Sequence, residues 1–518
     1  MLSFVDFLTS KVTNLILQGA RSRMSDKEFL EKEIACWKNS PHRIMQIKGH
    51  LYYDNEHDVL KRKRTMIGEG GKLQTVDNLP NNRLIDNQYA KMVNQKANYL
   101  LGQPFVVKGD NTGYVELLKE VFNKRFMKTL KNGGKAALNG GISWLHPYYT
   151  DSGELLFRLF PSYEILPFWK DSEHTILDFA VRLYLVTGYE GTTPKIFEKV
   201  EVYDLTGIHK FILDGDVLIP DVSTEEESFE CTYVTVTDDK GEVIGLNWEK
   251  IPLIPLKYNE GEIPLLKRVK SLQDGINVML SDFENNMQED SRNTILVLKN
   301  YDGQDLGEFR RNLATFGAVK IRCSGDTNGG VETLEITVNA ENYKVILEIF
   351  KKALIENAMG YDAKDDRLSG NPNQMNIQSM YSDIDLDAND METELQAAFE
   401  EIIWFVNVHF ANTGQGDFDG EKVDVIFNRD MLINKTEAIE NCAKSTGILS
   451  DETVVEQHPW IDDPKEEMER LKRQKEEEQA EFEQQQGYNP FQQTGKAGNQ
   501  PGKSPPKKEG DPGESEEV

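Results

Sequence analysis

"IPLLKRVKSLQDGINVMLSDFENNMQED", residues 263–290, decides how this chain is read. Its apolar residues Leu265, Val269, Leu272, Ile276, Met279, Phe283 and Met287 recur at intervals of 4, 3, 4, 3, 4 and 4. That spacing places them on one face of a helix as a near-heptad seam. Pro264 stands near the helix start, where its missing N–H costs nothing. At 1.5 Å per residue the helix is a rod ~40 Å long.

Two more rods follow. "NAENYKVILEIFKKALIENAMG" (339–360) carries a stripe of Ile346, Ile349, Phe350, Ala353 and Leu354 and stops at Gly360. The third begins near Met375. Ile377, Met380, Ile384, Ala388, Met391, Leu395, Ala398, Ile402, Phe405 and His409 keep a 3/4 rhythm there, over ~50 Å if unbroken. A kink is expected near "DIDLDAND", because Asp and Asn are weak helix formers. Rods two and three are joined by "GYDAKDDRLSGNPNQMN" (360–376), a polar stretch rich in Gly and Asn. Loops this long inside a compact domain are usually functional or disordered. It holds Lys364, Asp365, Asp366 and Arg367 in one half and Asn371, Asn373, Gln374 and Asn376 in the other.

Rods one and two are separated by 291–338, which reads as a small βαββ insert. Its strands are "TILVLKNY", "AVKIRC" and "VETLEITV". Its helix, "DLGEFRRNLATFG", has Asp305 and Gly317 as caps. Leu306, Phe309, Leu313 and Phe316 form the inward face of that helix and leave Arg310 and Arg311 outside. The insert is too small for a generous core of its own.

On the N-terminal side, helical signals fill 26–160. In "LPNNRLIDNQYAKMVNQKANYLLGQPF" (79–105), Leu84, Ile85, Tyr89, Met92, Val93 and Leu100 lie near helical spacing, closed by Gly102 and Pro104. From Leu155 to Tyr258 the period falls to two: "LLFRLF", "FAVRLYLV", "KVEVYDL", "HKFIL" and "CTYVTVT" read as strands, with "DDKG" (238–241) as a turn. The fold class is α+β with an antiparallel sheet. Beyond the third rod come a strand, "KVDVIFNRD" (422–430), and a helix stopped at Gly447. Another helix is capped by Ser450. The last has Asp463 as cap, Pro464 at its first position, and the pairs Glu466–Arg470 and Glu469–Arg473. Residues 487–518 have the composition of a disordered tail.

The 518 residues allow several folded units. A net charge of −28 argues against a protein that grips nucleic acid over its whole surface. Cys36, Cys231, Cys323 and Cys442 have no metal-ligand spacing and fit a reducing compartment. The opening "MLSFVDFLTSKVTNLILQG" lacks a signal-peptide pattern; it reads as a surface helix, with an interfacial helix as the alternative. No run of apolar residues is long enough to span a membrane.

Catalytic motifs are scarce. "GEGGKL" (68–73) lacks the hydroxyl of a phosphate-binding P-loop, and "GKS" (502–504) has Ala497 where the first glycine belongs. Asp54, Glu56, His57 and Asp58 in "YYDNEHD" suggest a metal, but nothing completes the set, and a solvated turn is the commoner meaning. "KRKR" (61–64) reads as a solvated helix face, or else as a phosphate or targeting patch. "EIIWFVNVHF" (401–410) is a partner surface or a buried helix end. No enzyme activity, cofactor or metal is expected.

The stretches "DVLKRKRTMIGEGG", "LPNNRLIDNQYAKMVNQKANYLLGQPF", "LSDFENNMQEDSRNTILVLKNYDG" and "IFNRDMLINKTEAIENCAKSTGILSDETVVEQHPWIDDPKEEMERL" resemble portal proteins of long-tailed double-stranded-DNA bacteriophages, over about residues 25–475. The resemblance implies a homo-oligomeric ring, usually of twelve subunits, around a DNA channel at one capsid vertex. It implies a wing (1–262 and the long helix 377–412), stem helices (263–290 and 339–360) and a clip (291–338). A tunnel loop (361–376) and a crown (413–486) complete the subunit, ahead of the tail. The tunnel loop would bring Lys364, Asp365, Asp366, Arg367, Asn371, Asn373, Gln374 and Asn376 to the DNA. Glu308, Arg310 and Arg311 of the clip would meet the terminase motor and later the head-completion adaptor. Scaffolding and major capsid proteins are further implied partners, with synthesis in the host bacterial cytoplasm, assembly into the virion and no membrane. The rival reading is a metal-dependent DNA-processing enzyme of the packaging machinery, using Asp54, Glu56 and Asp58.

Overall fold

The computed structural model describes residues 26–67, 72–75, 79–222, 229–237, 240–290, 295–299, 330–334, 340–363, 373–429, 434–461 and 464–486. The expected insert helix at 305–317, the strand "AVKIRC", the N-terminal stretch and the tail lie outside these residues. The chain divides into a compact unit ending at Leu432 and a second beginning at Ile433.

The first unit opens with helices α1 (Asp26–Lys38) and α2 (Pro41–Tyr53), the short strands β1 (Thr65–Ile67) and β2 (Leu73–Thr75), and α3 (Gln88–Leu101). Strand β3 (Val106–Gly109), α4 (Thr112–Val121) and α5 (Lys124–Gly140) follow. Then come β4 (Ile142–Tyr149), β5 (Leu155–Pro161), β6 (Ile165–Trp169), β7 (Leu177–Glu190), β8 (Thr193–Asp204), β9 (Gly207–Asp214) and β10 (Val217–Pro220). The strand region ends with β11 (Glu230–Cys231), β12 (Val234–Thr237), β13 (Val243–Leu246) and β14 (Ile254–Lys257). Helix α6 (Leu265–Asp290), strands β15 (Ile295–Lys299) and β16 (Gly330–Leu334), helices α7 (Ala340–Asn357) and α8 (Gln374–Asn412), and β17 (Val423–Ile426) complete the unit.

The period-two stretches form an antiparallel sheet in the order β10-β9-β8-β7-β6, with β11 added to β9. A second sheet runs β14-β4-β5, and β12 pairs with β13 across the expected turn. Helix α1 covers the larger sheet, setting Ile34 and Trp37 against Val181, Val200 and Leu213. The main core lies among α3, α5, α6, α8, β4 and β14. At its centre Phe399 meets Phe105, Phe122, Phe126 and Phe427 edge-to-face, the favourable geometry for ring quadrupoles.

All three rods are present. Helix α6 has 26 residues and α8 has 39, so α8 alone spans about 58 Å. It continues through Asp383–Asp390 without interruption. Asp387 there turns inward to a buried ion pair, which outweighs the weak intrinsic propensity of the stretch. In α7 the packed row is Tyr343, Leu347, Phe350, Leu354 and Ala358. Phe350 and Leu354 of the expected stripe belong to this row, but Ile346 and Ile349 are exposed at 41% and 57%. Periodicity alone cannot choose between two adjacent apolar rows on one helix.

Helix α6 does more than pack. Between its apolar positions runs a second row, Gln273, Asn277, Ser281 and Asn285, all buried. These sit four residues apart and so share one face. They meet the chain segment that precedes α3. Asn285 Oδ1 accepts from Asn82 N at 2.7 Å, Ser281 Oγ from Leu84 N at 3.0 Å and Asn277 Oδ1 from Asp86 N at 3.1 Å. Gln273 Oε1 accepts from Tyr89 N at 2.9 Å, and Gln273 Nε2 donates to Asp86 O at 2.8 Å. The donors at 82, 84 and 86 have the period of extended chain. Residues 79–87 are therefore not helical, contrary to the spacing of Leu84 and Ile85, and α3 begins at Gln88 behind the cap of Asn87, whose Oδ1 accepts from Ala90 N at 2.8 Å.

The second unit holds α9 (Lys435–Ser445), α10 (Asp451–Glu456) and α11 (Pro464–Gln486). Ser450 caps α10 as expected, and Arg470 meets Glu466 at 2.6 Å. The segment expected as one piece over 413–486 contributes to both units. Strand β17 pairs antiparallel with β3, which holds 413–432 in the first unit.

His146 offers a test of this packing. It is buried in β4 with Nδ1 2.6 Å from Pro252 O. Burial, helped by the charge of Arg158, lowers its pKa to about 3. The fold therefore holds it neutral, while the unfolded chain takes up a proton below about pH 6.5. This contribution is present above that pH and is lost as the pH falls toward 3. Between pH 7 and pH 5 the loss is about 2 kcal/mol. His146→Asn keeps a donor for Pro252, so its denaturant-unfolding stability should fall less steeply over that interval than the parent's.

Candidate functional site

The loop expected between the second and third rods leaves α7 and enters α8; its first end is fixed by neighbouring side chains, and its second is closed by a local cap. Helix α7 closes with Gly360 N donating to Ile355 O and Met359 N to Glu356 O, both at 3.0 Å. This is the paired C-terminal motif in which one residue takes a left-handed conformation. That residue is Met359, at φ 51°, and not Gly360. A side chain with a Cβ pays about 1–2 kcal/mol for this conformation. Gly360 is needed for proximity instead: a Cβ there would lie 2.7 Å from Met92 Sδ and 2.9 Å from Gln95 Oε1.

Two side chains of α3 hold this turn, and a third reaches α8. Gln95 clamps the next residue from both sides, donating from Nε2 to Tyr361 O at 2.8 Å and accepting from Tyr361 N at 3.1 Å. Lys96 Nζ donates to Met359 O at 2.9 Å and to Asp387 Oδ2 of α8 at 2.7 Å. Tyr99 OH donates to Asp385 Oδ1 at 3.0 Å, and burial, then Asp385, push its pKa up to about 12. The rings of Tyr361 and Tyr381 lie 4.4 Å apart, with Tyr99 5.7 Å beyond.

The Lys96–Asp387 pair is the electrostatic centre. Their side chains are 3% and 6% exposed. Arg268 of α6 meets Asp387 Oδ1 at 3.1 Å, and Tyr258 OH donates to Oδ1 and Oδ2 at 2.8 and 2.9 Å. Burial draws the Lys96 pKa down against the pull of Asp387, and burial followed by Asp387 drives that of Tyr258 well up. Two cations thus share one carboxylate. The C-terminal end of α7, with its partial negative charge, faces the surplus through Met359 O. On the other flank Arg429 donates to Asn389 Oδ1 at 2.7 Å and pairs with Glu392 and Asp385 of α8.

Of the expected loop residues, Asn373 is the N-cap of α8: its Oδ1 accepts from Asn376 N at 2.8 Å. Gln374 and Asn376 belong to the first turn of α8. Lys364, Asp365, Asp366, Arg367 and Asn371 lie outside the described residues, as do Glu308, Arg310 and Arg311. The suggested metal group is not assembled. Asp58 binds Lys48 at 2.7 Å and Lys270 at 2.8 Å; although burial opposes it, these two cations hold its carboxyl well below the usual range. His57 is buried against Asn277 and Tyr52 O, whereas Asp54 closes α2 on the exposed side. Among the described residues no group of three or more His, Cys, Asp or Glu is placed to hold a metal. "KRKR" is not a plain solvated face either. Arg62 forks onto Asp282 at 2.9 and 3.1 Å, and Arg64 donates to Pro80 O at 2.8 Å. Within "EIIWFVNVHF", Ile402, Phe405, Val406 and Phe410 are core. Gln95, Lys96, Met359 and Asp387 were not singled out in the sequence. Two of them carried a signal: Lys96 sits among Met92, Val93, Ala97 and Leu100, and Asp387 interrupts an apolar rhythm.

The arrangement ties the C-terminal end of α7 to α3 and, through Asp387, to the fourth turn of α8. Compared with known proteins, residues 30–481 match the family model for phage portal proteins of the SPP1 Gp6-like type. The portal protein of Bacillus phage SPP1 is 29% identical over 467 residues, covering 89% of each chain. The portal protein of Clostridium phage phiCD119 is 27% identical over 440 residues, covering 82% of this chain and 90% of that one. No described helix is long and apolar enough to cross a membrane.

Two substitutions test the anchor in opposite directions. Lys96→Met leaves Asp387 and Met359 O short of a buried donor and should cost about 3–5 kcal/mol of unfolding free energy. Met359→Gly relieves the left-handed backbone and should add about 0.5–1 kcal/mol, after the glycine's own entropy cost. Denaturant titration of both proteins checks the signs.

Proposed function

We propose that this chain, which belongs to the SPP1 Gp6-like family of phage portal proteins, forms a ring-shaped channel at one capsid vertex, through which double-stranded DNA is packaged and later ejected. The observation that carries the reading is the family match over 30–481, most of the chain. The ring, of about twelve copies by family likeness, also serves as the platform where the tail attaches. The chain acts by assembly and geometry, without a reaction of its own. In this reading α6 and α7 are stem helices, 291–338 is the clip, 413–486 is the crown, and the sheet-rich body with α8 is the wing. The clip offers Glu308, Arg310 and Arg311 to the terminase and then to the head-completion adaptor. Scaffolding and major capsid proteins surround the wing in the virion.

The tunnel loop, 361–376, touches the moving DNA through Lys364, Asp365, Asp366, Arg367 and Asn371, with Asn373, Gln374 and Asn376 at its base. The anchor at its start supports this reading: a loop that meets a sliding polymer needs a fixed base and weak contacts. Duplex DNA carries one negative charge per about 1.7 Å, and a lysine-rich wall would retain it. The −28 charge of the chain suits passage rather than capture.

Native mass measurement of the purified protein should give a ring near twelve times 59.1 kDa; a monomer that cleaves DNA would refute the portal reading. Asp365→Lys with Asp366→Lys adds phosphate attraction in every copy. Capsids carrying it should contain normal amounts of portal but package DNA slowly or incompletely, with relief at higher salt. Full-length packaging at low salt would remove the loop from the DNA path.

A further inference from the structure

Helix α5 is an electrostatic exception on an acidic chain. Its sequence, KRFMKTLKNGGKAALNG, holds Lys124, Arg125, Lys128, Lys131 and Lys135 and no carboxylate. Lys124, Lys128, Lys131 and Lys135 fall at i, i+4, i+7 and i+11, one stripe along the helix. The opposite face, with Phe126, Leu130 and Ala137, is core. Lys135 is committed to Tyr53, 3.3 Å from its hydroxyl. Lys124, Lys128 and Lys131 make no ion pair among the described residues, though the chain carries 87 acidic side chains.

Beside this stripe opens a cleft of about 250 Å³ between α5 and the turn that follows α3. Phe105, Met127, Leu130 and Phe427 line it, and Lys128 and Lys131 stand at its rim. The floor is rigid, because Phe105 and Phe427 belong to the ring cluster around Phe399.

We propose that this cleft docks an acidic segment of another polypeptide, with an apolar side chain in the cleft and flanking Asp or Glu on Lys124, Lys128 and Lys131. Charge complementarity selects the sign: an acidic segment is repelled by the −28 chain as a whole, and this helix presents Lys124, Lys128 and Lys131 in a row with no ion pair among the described residues. The cleft selects the class. A nucleic-acid backbone would use the lysines but has no apolar group to fill a pocket of phenylalanine, methionine and leucine, whereas a peptide uses both. Lysine rather than arginine at the rim gives point charges on flexible stems, which suits a mobile acidic strand better than fixed bidentate recognition. This surface lies outside the loop anchor, and its occupancy does not require the channel.

The test uses the full chain in its assembled form. The probe is a fluorescent peptide of twelve residues with a central Leu-Phe pair flanked by glutamates; competitors are the same peptide with Gly-Gly at the centre, a duplex DNA and a peptide of residues 487–518. Anisotropy should show the probe bound at low salt, weakened about tenfold by Lys128→Glu with Lys131→Glu, and about tenfold by the Gly-Gly replacement. Salt should weaken it as screening requires. Lack of binding, or loss of charge dependence, would overturn the proposal. So would duplex DNA displacing the probe from the parent but not from the double variant, since the stripe would then be a nucleic-acid surface. Stronger competition by 487–518 would assign the cleft to the chain's own tail and end the claim of a foreign partner. The double variant changes one exposed and one half-buried lysine, and an unchanged ring mass will confirm that it assembles.

Discussion

A helix satisfies its backbone internally and has no main-chain hydrogen bonds to offer sideways. A non-helical segment laid along it must find other partners or bury orphaned N–H groups, at a cost of about 1–3 kcal/mol each. The row Gln273, Asn277, Ser281 and Asn285 on α6 solves this for residues 82–89. Because the acceptors repeat every turn and the donors every second residue, the two periods coincide in one register. Slippage by one residue would turn the donors away. That register fixes where α3 starts, and α3 carries Gln95, Lys96 and Tyr99. The loop's anchor is therefore located, at one remove, by amides on the first rod.

The same helix gathers the chain that follows α2. Tyr52 OH donates to Asp274 at 2.5 Å, Asp58 bridges Lys48 and Lys270, His57 meets Asn277 and Arg62 forks onto Asp282. Most of these pairs are half-buried, where charges are screened yet directional. Lys96 and Asp387 are different. Their desolvation costs several kcal/mol, which Arg268, Tyr258 and Met359 O must offset together. Such a pair adds little net stability over a well-packed apolar contact. It specifies instead which turn of α8 lies opposite which turn of α3, a distinction that apolar packing along two long helices makes poorly.

Much of this was legible in the residues. The rods, the antiparallel strands, the cap at Ser450 and the helix stop near 357–360 followed from period and cap chemistry, whereas Asn373, read as a loop residue, proved to cap α8. Two of the misread places share a physical cause: side-chain hydrogen bonding overruled the sequence pattern. Leu84 and Ile85 fit a helix until the α6 amides claimed the neighbouring N–H groups. Arg62 and Arg64 looked solvated until Asp282 and Pro80 O appeared opposite them. Met359 occupies a position that glycine usually takes, and no local pattern marks a strained methionine. The boundary at 433 depends on β17 pairing with β3, a contact across more than 300 residues that local reading cannot see.

The distribution of polarity on the rods runs opposite to that of a finished monomer. Helix α6 buries amides and a serine, whereas α7 exposes Val345, Ile346 and Ile349, and Met287 stands out from α6. A soluble monomer exposes isolated apolar side chains routinely, but a row on one helix face is a contact waiting for a surface. In the proposed ring each stem stands beside another copy, and a ring requires contacts between unlike faces of identical chains. The polar row of α6 is consumed inside the subunit, so it cannot also serve between subunits. The apolar row of α7 is free to do so. On this account the sequence divides its chemistry by scale: hydrogen bonds fix register within one chain, and non-directional burial is reserved for the contacts between chains, where small rotations between neighbours must be tolerated for a ring to close.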